Sequence, residues 1–270
     1  MDGNCGVGYR DRPWWVLALV IVMAGQAGLA AIPFGGFAAV ADDRPVVAGR
    51  HPLHLYHGML GAETFRDRHT TICFDPAFQA GYPKTPVFDG GSRPAEFVLA
   101  AVGTRHAAAA YKVMLFACCV LTPLAFALAA RGAGVSANGS CLAAVAGALL
   151  WWSPPVRAMF DAGDVGLLLA GLLGVMCVGG FARYHCEPGP ISWLVLAAVS
   201  IAGWYAHPVV WIGFAPILIF YYLALAPRHG PAWHLGLAGI LLVGLTPNFW
   251  WLSDWGQFWW LREQQALADG

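Results

Sequence analysis

The chain has 270 residues and no net formal charge, with 59% hydrophobic and only 11% charged side chains. Soluble domains carry about 25% charged residues, so an ordinary soluble globule is excluded, and no basic surplus marks a nucleic-acid partner. The composition is that of a polytopic membrane protein, in which each span needs ~20 apolar residues.

In chain order, a polar tail (1–13) carries Arg10 and Arg12 and precedes an apolar first span, residues 14–34. Ala39-Val40-Ala41 has the small residues of a signal-peptide cleavage site, but the apolar stretch is long for one and many spans follow. Residues 41–106 form the one long polar segment, a loop outside the membrane. Within it, His51, His54 and His57 recur at helical spacing. The spacing predicts a helix over 51–66 lying along the membrane surface, with Leu53, Tyr56 and Leu60 toward apolar surroundings and the histidines on the wet side. Phe74-Asp75-Pro76 and Gly81-Tyr82-Pro83-Lys84 read as turns, and 94–103 as a short interfacial segment.

Further apolar runs follow at 107–130, 138–152, 165–181, 191–206, 209–225 and 233–245, giving about seven spans in all. Pro208 breaks the fifth from the sixth, as two helices or one sharply broken one. Thr246-Pro247 closes the last, and 249–270 reads as an interfacial tail. Paired tryptophans such as Trp151-Trp152 and Trp250-Trp251 stand near the ends of these runs, at headgroup level. The predicted fold is a single all-α membrane domain. With the amino terminus inside, Arg10, Arg12, Arg131, Arg183 and Arg228 all fall in the cytoplasm, as the positive-inside rule requires. The expected location is a bacterial inner membrane.

This orientation gathers the carboxylates outside, so the candidate site is the outer face. Asp42 and Asp43 stand where the backbone leaves the first span. Desolvation there raises a carboxylate's pKa and suits a general base or metal ligand. Asp75 is a third loop acid. Lys84 and Arg93 are outer cations able to hold phosphate oxygens. His54 belongs to the histidine-bearing helix. Asp161 and Asp164 share a face before the fourth span, and His207 sits at the helix break at membrane depth. For each, a solvated loop charge, a helix cap or a simple packing role competes with the functional reading. Lys112 reads as a cation snorkelling from its span. The seven cysteines form neither a disulfide framework nor a metal-ligand spacing, and a divalent metal is left open as cofactor.

The order of features resembles the amino-terminal half of bacterial GT-C-type integral membrane glycosyltransferases, in particular the group labelled 6-pyruvoyl-tetrahydropterin synthase-related membrane proteins. The resemblance rests on His51-Pro52-Leu53-His54-Leu55-Tyr56, Phe74-Asp75-Pro76, Ala80-Gly81-Tyr82-Pro83 and the His207-Pro208 break. It implies a transferase fed by a polyprenyl-phosphate sugar at the outer leaflet, with a loop carboxylate as base or acceptor-orienting group. The chain departs from that pattern in two ways. The family's loop acid stands immediately before the His/Tyr helix, where this chain has Arg50, so Asp42 or Asp43 would substitute and Arg50 would clamp a phosphate. The family's members are also longer, so a fragment, a non-catalytic membrane subunit or one that works with a second subunit is the alternative expectation. A transporter is the third, hinted at only by the broken helix.

Overall fold

A computed structural model describes residues 14–77, 81–84 and 90–258. Among the described residues, twelve helices carry almost all of the regular structure: α1 (Trp14–Ala31), α2 (Phe37–Val40), α3 (His51–Arg68), α4 (Arg93–Val102), α5 (Ala107–Gly132), α6 (Ala137–Trp151), α7 (Pro154–Ala162), α8 (Val165–Cys186), α9 (Pro190–Ala206), α10 (Pro208–Leu225), α11 (Pro231–Leu245) and α12 (Phe249–Phe258). A two-stranded antiparallel hairpin, β1 (Cys73–Asp75) with β2 (Tyr82–Lys84), interrupts them. Among the described residues five helical stretches are long and apolar enough to cross a membrane, six if the α6–α7 pair is one span bent by 56°. The bend falls at Ser153-Pro154-Pro155, where proline removes helix donors. α9, at 17 residues, is a shorter apolar helix. This is an all-α membrane bundle.

Its packing follows chain order. α5 lies against α1, α6 and α8, while α9 packs on α8 and α11. Many apolar side chains on α10 and α11, including Ile212, Phe220, Leu223, Leu235 and Leu242, remain exposed, as suits surfaces that face hydrocarbon. One buried polar group ties the first span in place. Gln26 on α1 donates to the Cys119 carbonyl at 3.3 Å and accepts from the Trp152 indole at 2.9 Å. A buried amide needs such partners, and these join α1, α5 and the α6–α7 bend.

The structure departs from the sequence expectations at four places. α3 forms as predicted, but its faces are reversed: His51, His54 and His57 are buried, whereas Tyr56 is exposed and Leu53 and Leu60 are only half-buried. Helical spacing cannot say which face packs, and here the small residues Gly58, Gly61 and Ala62 decide it. A Cβ on Gly58 would come within 2.7 Å of Ala95 Cβ, so α4 can approach only on this face. The expected turns at 74–76 and 81–84 include strand residues, paired Cys73 with Lys84 and Asp75 with Tyr82. The segment at 94–103 is α4, packed against α3 with Arg93 and Glu96 buried. The last span does not stop at Thr246-Pro247: a 3-10 turn over Thr246–Asn248 carries the chain into α12, and the apolar stretch runs to Ser253. The break at His207 separates two helices, with His207 in extended backbone. The tail 1–13 and residues 259–270 lie outside the described residues.

Candidate functional site

Two glycines lock the start of the long polar segment onto the bundle. Gly49 (φ +52°) and Gly163 (φ +90°) both occupy left-handed backbone, and a side chain on either would strike the other's segment. A Cβ on Gly49 would collide with the Asp161 carbonyl, and one on Gly163 would meet the His51 nitrogen at 2.9 Å. Only glycine permits both the dihedral and the approach. The Arg50 amide then donates to the Ala162 carbonyl at 2.9 Å, which sets α3 against the α7–α8 turn.

This contact seats His51 in the bundle. Its Nε2 lies 2.7 Å from the Phe160 carbonyl and its Nδ1 2.9 Å from the Tyr111 hydroxyl. A carbonyl can only accept, so Nε2 carries the proton and Nδ1 accepts from Tyr111. Burial pushes the His51 pKa below its ordinary value, which keeps the ring neutral.

Beside His51 lies a cavity of about 610 Å³. Pro33, Phe34 and Ala39, from the end of the first span, give it apolar walls, and Asp42, Arg44, Lys112 and Asp161 supply charge. Lys112, near the start of α5, is almost wholly buried; its ammonium donates to the Ala39 carbonyl at 2.5 Å and pairs with Asp42. Arg44 binds the other Asp42 oxygen, with its Nε at 2.7 Å. Hydrogen bonds from Lys112 and then Arg44 hold the Asp42 carboxyl well below the usual range, at about 2. This is the reverse of the rise expected from desolvation, because two cations outweigh partial burial. Asp42 is therefore a fixed negative charge.

Next to Asp42 in the chain but outside the cavity lining, Asp43 Oδ2 lies 2.7 Å from His106 Nδ1, at the amino-terminal cap of α5. Asp161 is paired with Arg157 at 3.0 Å. Asp164 is paired at 3.0 Å with Arg50, whose side chain is more than half exposed. Asp42 and Asp161 thus share one cavity, with Arg50 and Asp164 held next to it by the His51–Phe160 contact.

The remaining predicted residues stand elsewhere. His54 packs against Gly91, which neighbours Gly166 at the start of α8, and Gly166 in turn meets His207. Asp75 accepts from the Tyr56 hydroxyl at 2.7 Å and from the Ala77 amide at 2.9 Å. The Asp75 carboxylate raises the Tyr56 pKa, since it favours the protonated phenol. Lys84 is buried against Glu96 at 2.5 Å and donates to the Thr71 carbonyl at 3.0 Å, while Ser92 donates to the same Glu96 oxygen at 2.8 Å. Arg93 is buried with its guanidinium over the Trp251 ring, 3.4 Å from the centroid, and near the Tyr205 carbonyl. Lys84 and Arg93 thus fasten the hairpin and α4 to their surroundings, and neither lines the cavity. Among the described residues no three His, Cys, Asp or Glu side chains gather as a metal site.

A second cavity, about 640 Å³, opens at the other end of α8 between Tyr184, Trp193, His229 and Trp233. There His185 Nδ1 lies 2.5 Å from His229 Nε2, and Trp233 is stacked with both His229 and Tyr222. Its walls are mainly aromatic and proline.

Sequence reasoning missed Lys112, Arg44 and His106 as site residues. Lys112 carried a signal, as a lone lysine inside an otherwise uncharged span. The pairing of Asp43 with His106 spans 63 residues and had none. The fold and site define a membrane helical bundle with a charged cavity at one end. Comparison with protein-family profiles, characterised proteins and solved structures gave no match.

Proposed function

We propose that this chain is a GT-C-like membrane glycosyltransferase, or the amino-terminal part of one, acting on a polyprenyl-phosphate sugar at the outer leaflet of a bacterial inner membrane. One observation carries the reading: at the end of the first span, an apolar wall (Pro33, Phe34, Ala39) meets Asp42, Arg44, Lys112 and Asp161 in one cavity. A lipid-linked phosphate needs that pairing of hydrocarbon surface and cations. Arg44 is largely exposed, with 85% of its side chain accessible, and Arg50 stands close by, so two guanidiniums can take phosphate oxygens. Asp42 fixes Lys112 and Arg44 in place, and Asp43, its neighbour in the chain, is exposed to an acceptor.

A second reading, a non-catalytic subunit that binds the lipid phosphate, is favoured by the same Asp42, which two cations hold ionised. The test uses full-length protein in nanodiscs with a radiolabelled polyprenyl-phosphate hexose. Binding weakened about 10-fold or more by Arg44→Ala, together with release or transfer of label, supports the transferase. Binding without turnover supports the subunit. No binding sinks both.

A further inference from the structure

We propose that His106, oriented by Asp43, takes the proton of the acceptor hydroxyl; this assignment rests on the transferase reading above. The Asp43 carboxylate can only accept, so at 2.7 Å it takes a hydrogen bond from His106 Nδ1–H. That fixes the tautomer and leaves the Nε2 lone pair available. The two side chains are 56% and 64% exposed, so an incoming hydroxyl can reach the ring.

Position is the second argument. Asp43 falls between Asp42 and Arg44, both of which line the cavity. His106 caps the helix whose Lys112 holds Asp42. Asp43 thus adjoins the cavity wall in the chain, and its exposed partner His106 is open to a water-borne acceptor. The other carboxylates are poorly matched to the task. Lys112 and Arg44 hold the Asp42 carboxyl well below the usual range, so it is a poor proton acceptor. Asp161 is tied to Arg157.

In the step, the hydroxyl proton passes to His106 Nε2 as its oxygen bonds to the sugar anomeric carbon. The bond from that carbon to the phosphate oxygen breaks, and its electron pair leaves with the polyprenyl phosphate. The imidazolium formed is stabilised by Asp43. In the chain the pair is flanked by Asp42, Arg44 and Arg105.

The experiment measures transfer from a radiolabelled polyprenyl-phosphate hexose to methyl glycosides, with full-length protein in nanodiscs, across pH 5–9. His106→Gln should lower transfer by about 100-fold or more, the usual loss of a general base, while donor binding is unchanged. Asp43→Asn should keep part of the activity, because the amide can still hold the ring but cannot stabilise the imidazolium. A merely structural pair would lose donor binding as well. Wild-type transfer with full activity in His106→Gln overturns the assignment and leaves the transferase reading standing. A wild type that neither binds nor transfers overturns both.

Discussion

Lys84 Nζ lies 2.5 Å from Glu96 Oε1, and both side chains are only 3% exposed. The pair joins the β-hairpin to α4 over Gly61, where a Cβ would come within 2.9 Å of the ammonium. Breaking a buried pair from one side leaves an uncompensated charge, at a cost of about 3–5 kcal/mol. Glu96→Gln should therefore destabilise strongly, whereas Lys84→Met with Glu96→Leu should recover most of the loss. Thermal unfolding of the single and double variants measures this; equal losses in both would show that the pair is not the fastening.

Close approach of α3 and α4 makes a second prediction. Gly58→Val places branched carbons where Ala95 already stands 2.7 Å from the first of them. Overpacking of this kind costs about 1–3 kcal/mol. The substitution should lower the melting temperature, and adding Ala95→Gly should restore part of it.

His51 sets the pH response of the loop. Its pKa is lowered in the folded state from 6.5, mainly by burial. Below that value the unfolded chain binds a proton that the folded chain refuses. The contribution is thus complete above pH 6.5 and is lost as pH falls below it, until the folded-state pKa is reached. His51→Gln should flatten the melting temperature between pH 7 and pH 5 relative to wild type. Tyr111→Phe removes the donor to Nδ1 and should cost about 1 kcal/mol at pH 7.5.

Orientation is testable by labelling. Arg131 stands near Trp15 at the start of α1, with its guanidinium 5.7 Å from the indole centroid, so the arginine-bearing ends lie together. Cysteine placed at the exposed Asp67 should react with an impermeant maleimide from outside, above the wild-type background. Cysteine at the exposed Ala133 should react only after permeabilisation. The opposite pattern would place the charged cavity on the cytoplasmic side and remove the outer-leaflet donor from consideration.

By itself the sequence determined the membrane-helical class, the positions of the apolar helices and the break at His207-Pro208, because these depend on local hydrophobicity and on proline. It also located the first long polar segment and the helix over its histidines. Which face of that helix packs was decided only in three dimensions, by the clearance at Gly58 and Gly61 and by acceptors as distant as the Phe160 carbonyl. The candidate site divides the same way. Asp42, Asp43 and Asp161 stood out as acids near the membrane boundary. Their partners Lys112 and His106, and the depressed pKa of Asp42, arise from contacts across more than 60 residues, which no local pattern encodes. Lys84 and Arg93 make the converse case: both read as free outer cations, yet Glu96 and Trp251 hold them buried, because a desolvated charge is stable only where folding supplies its partner.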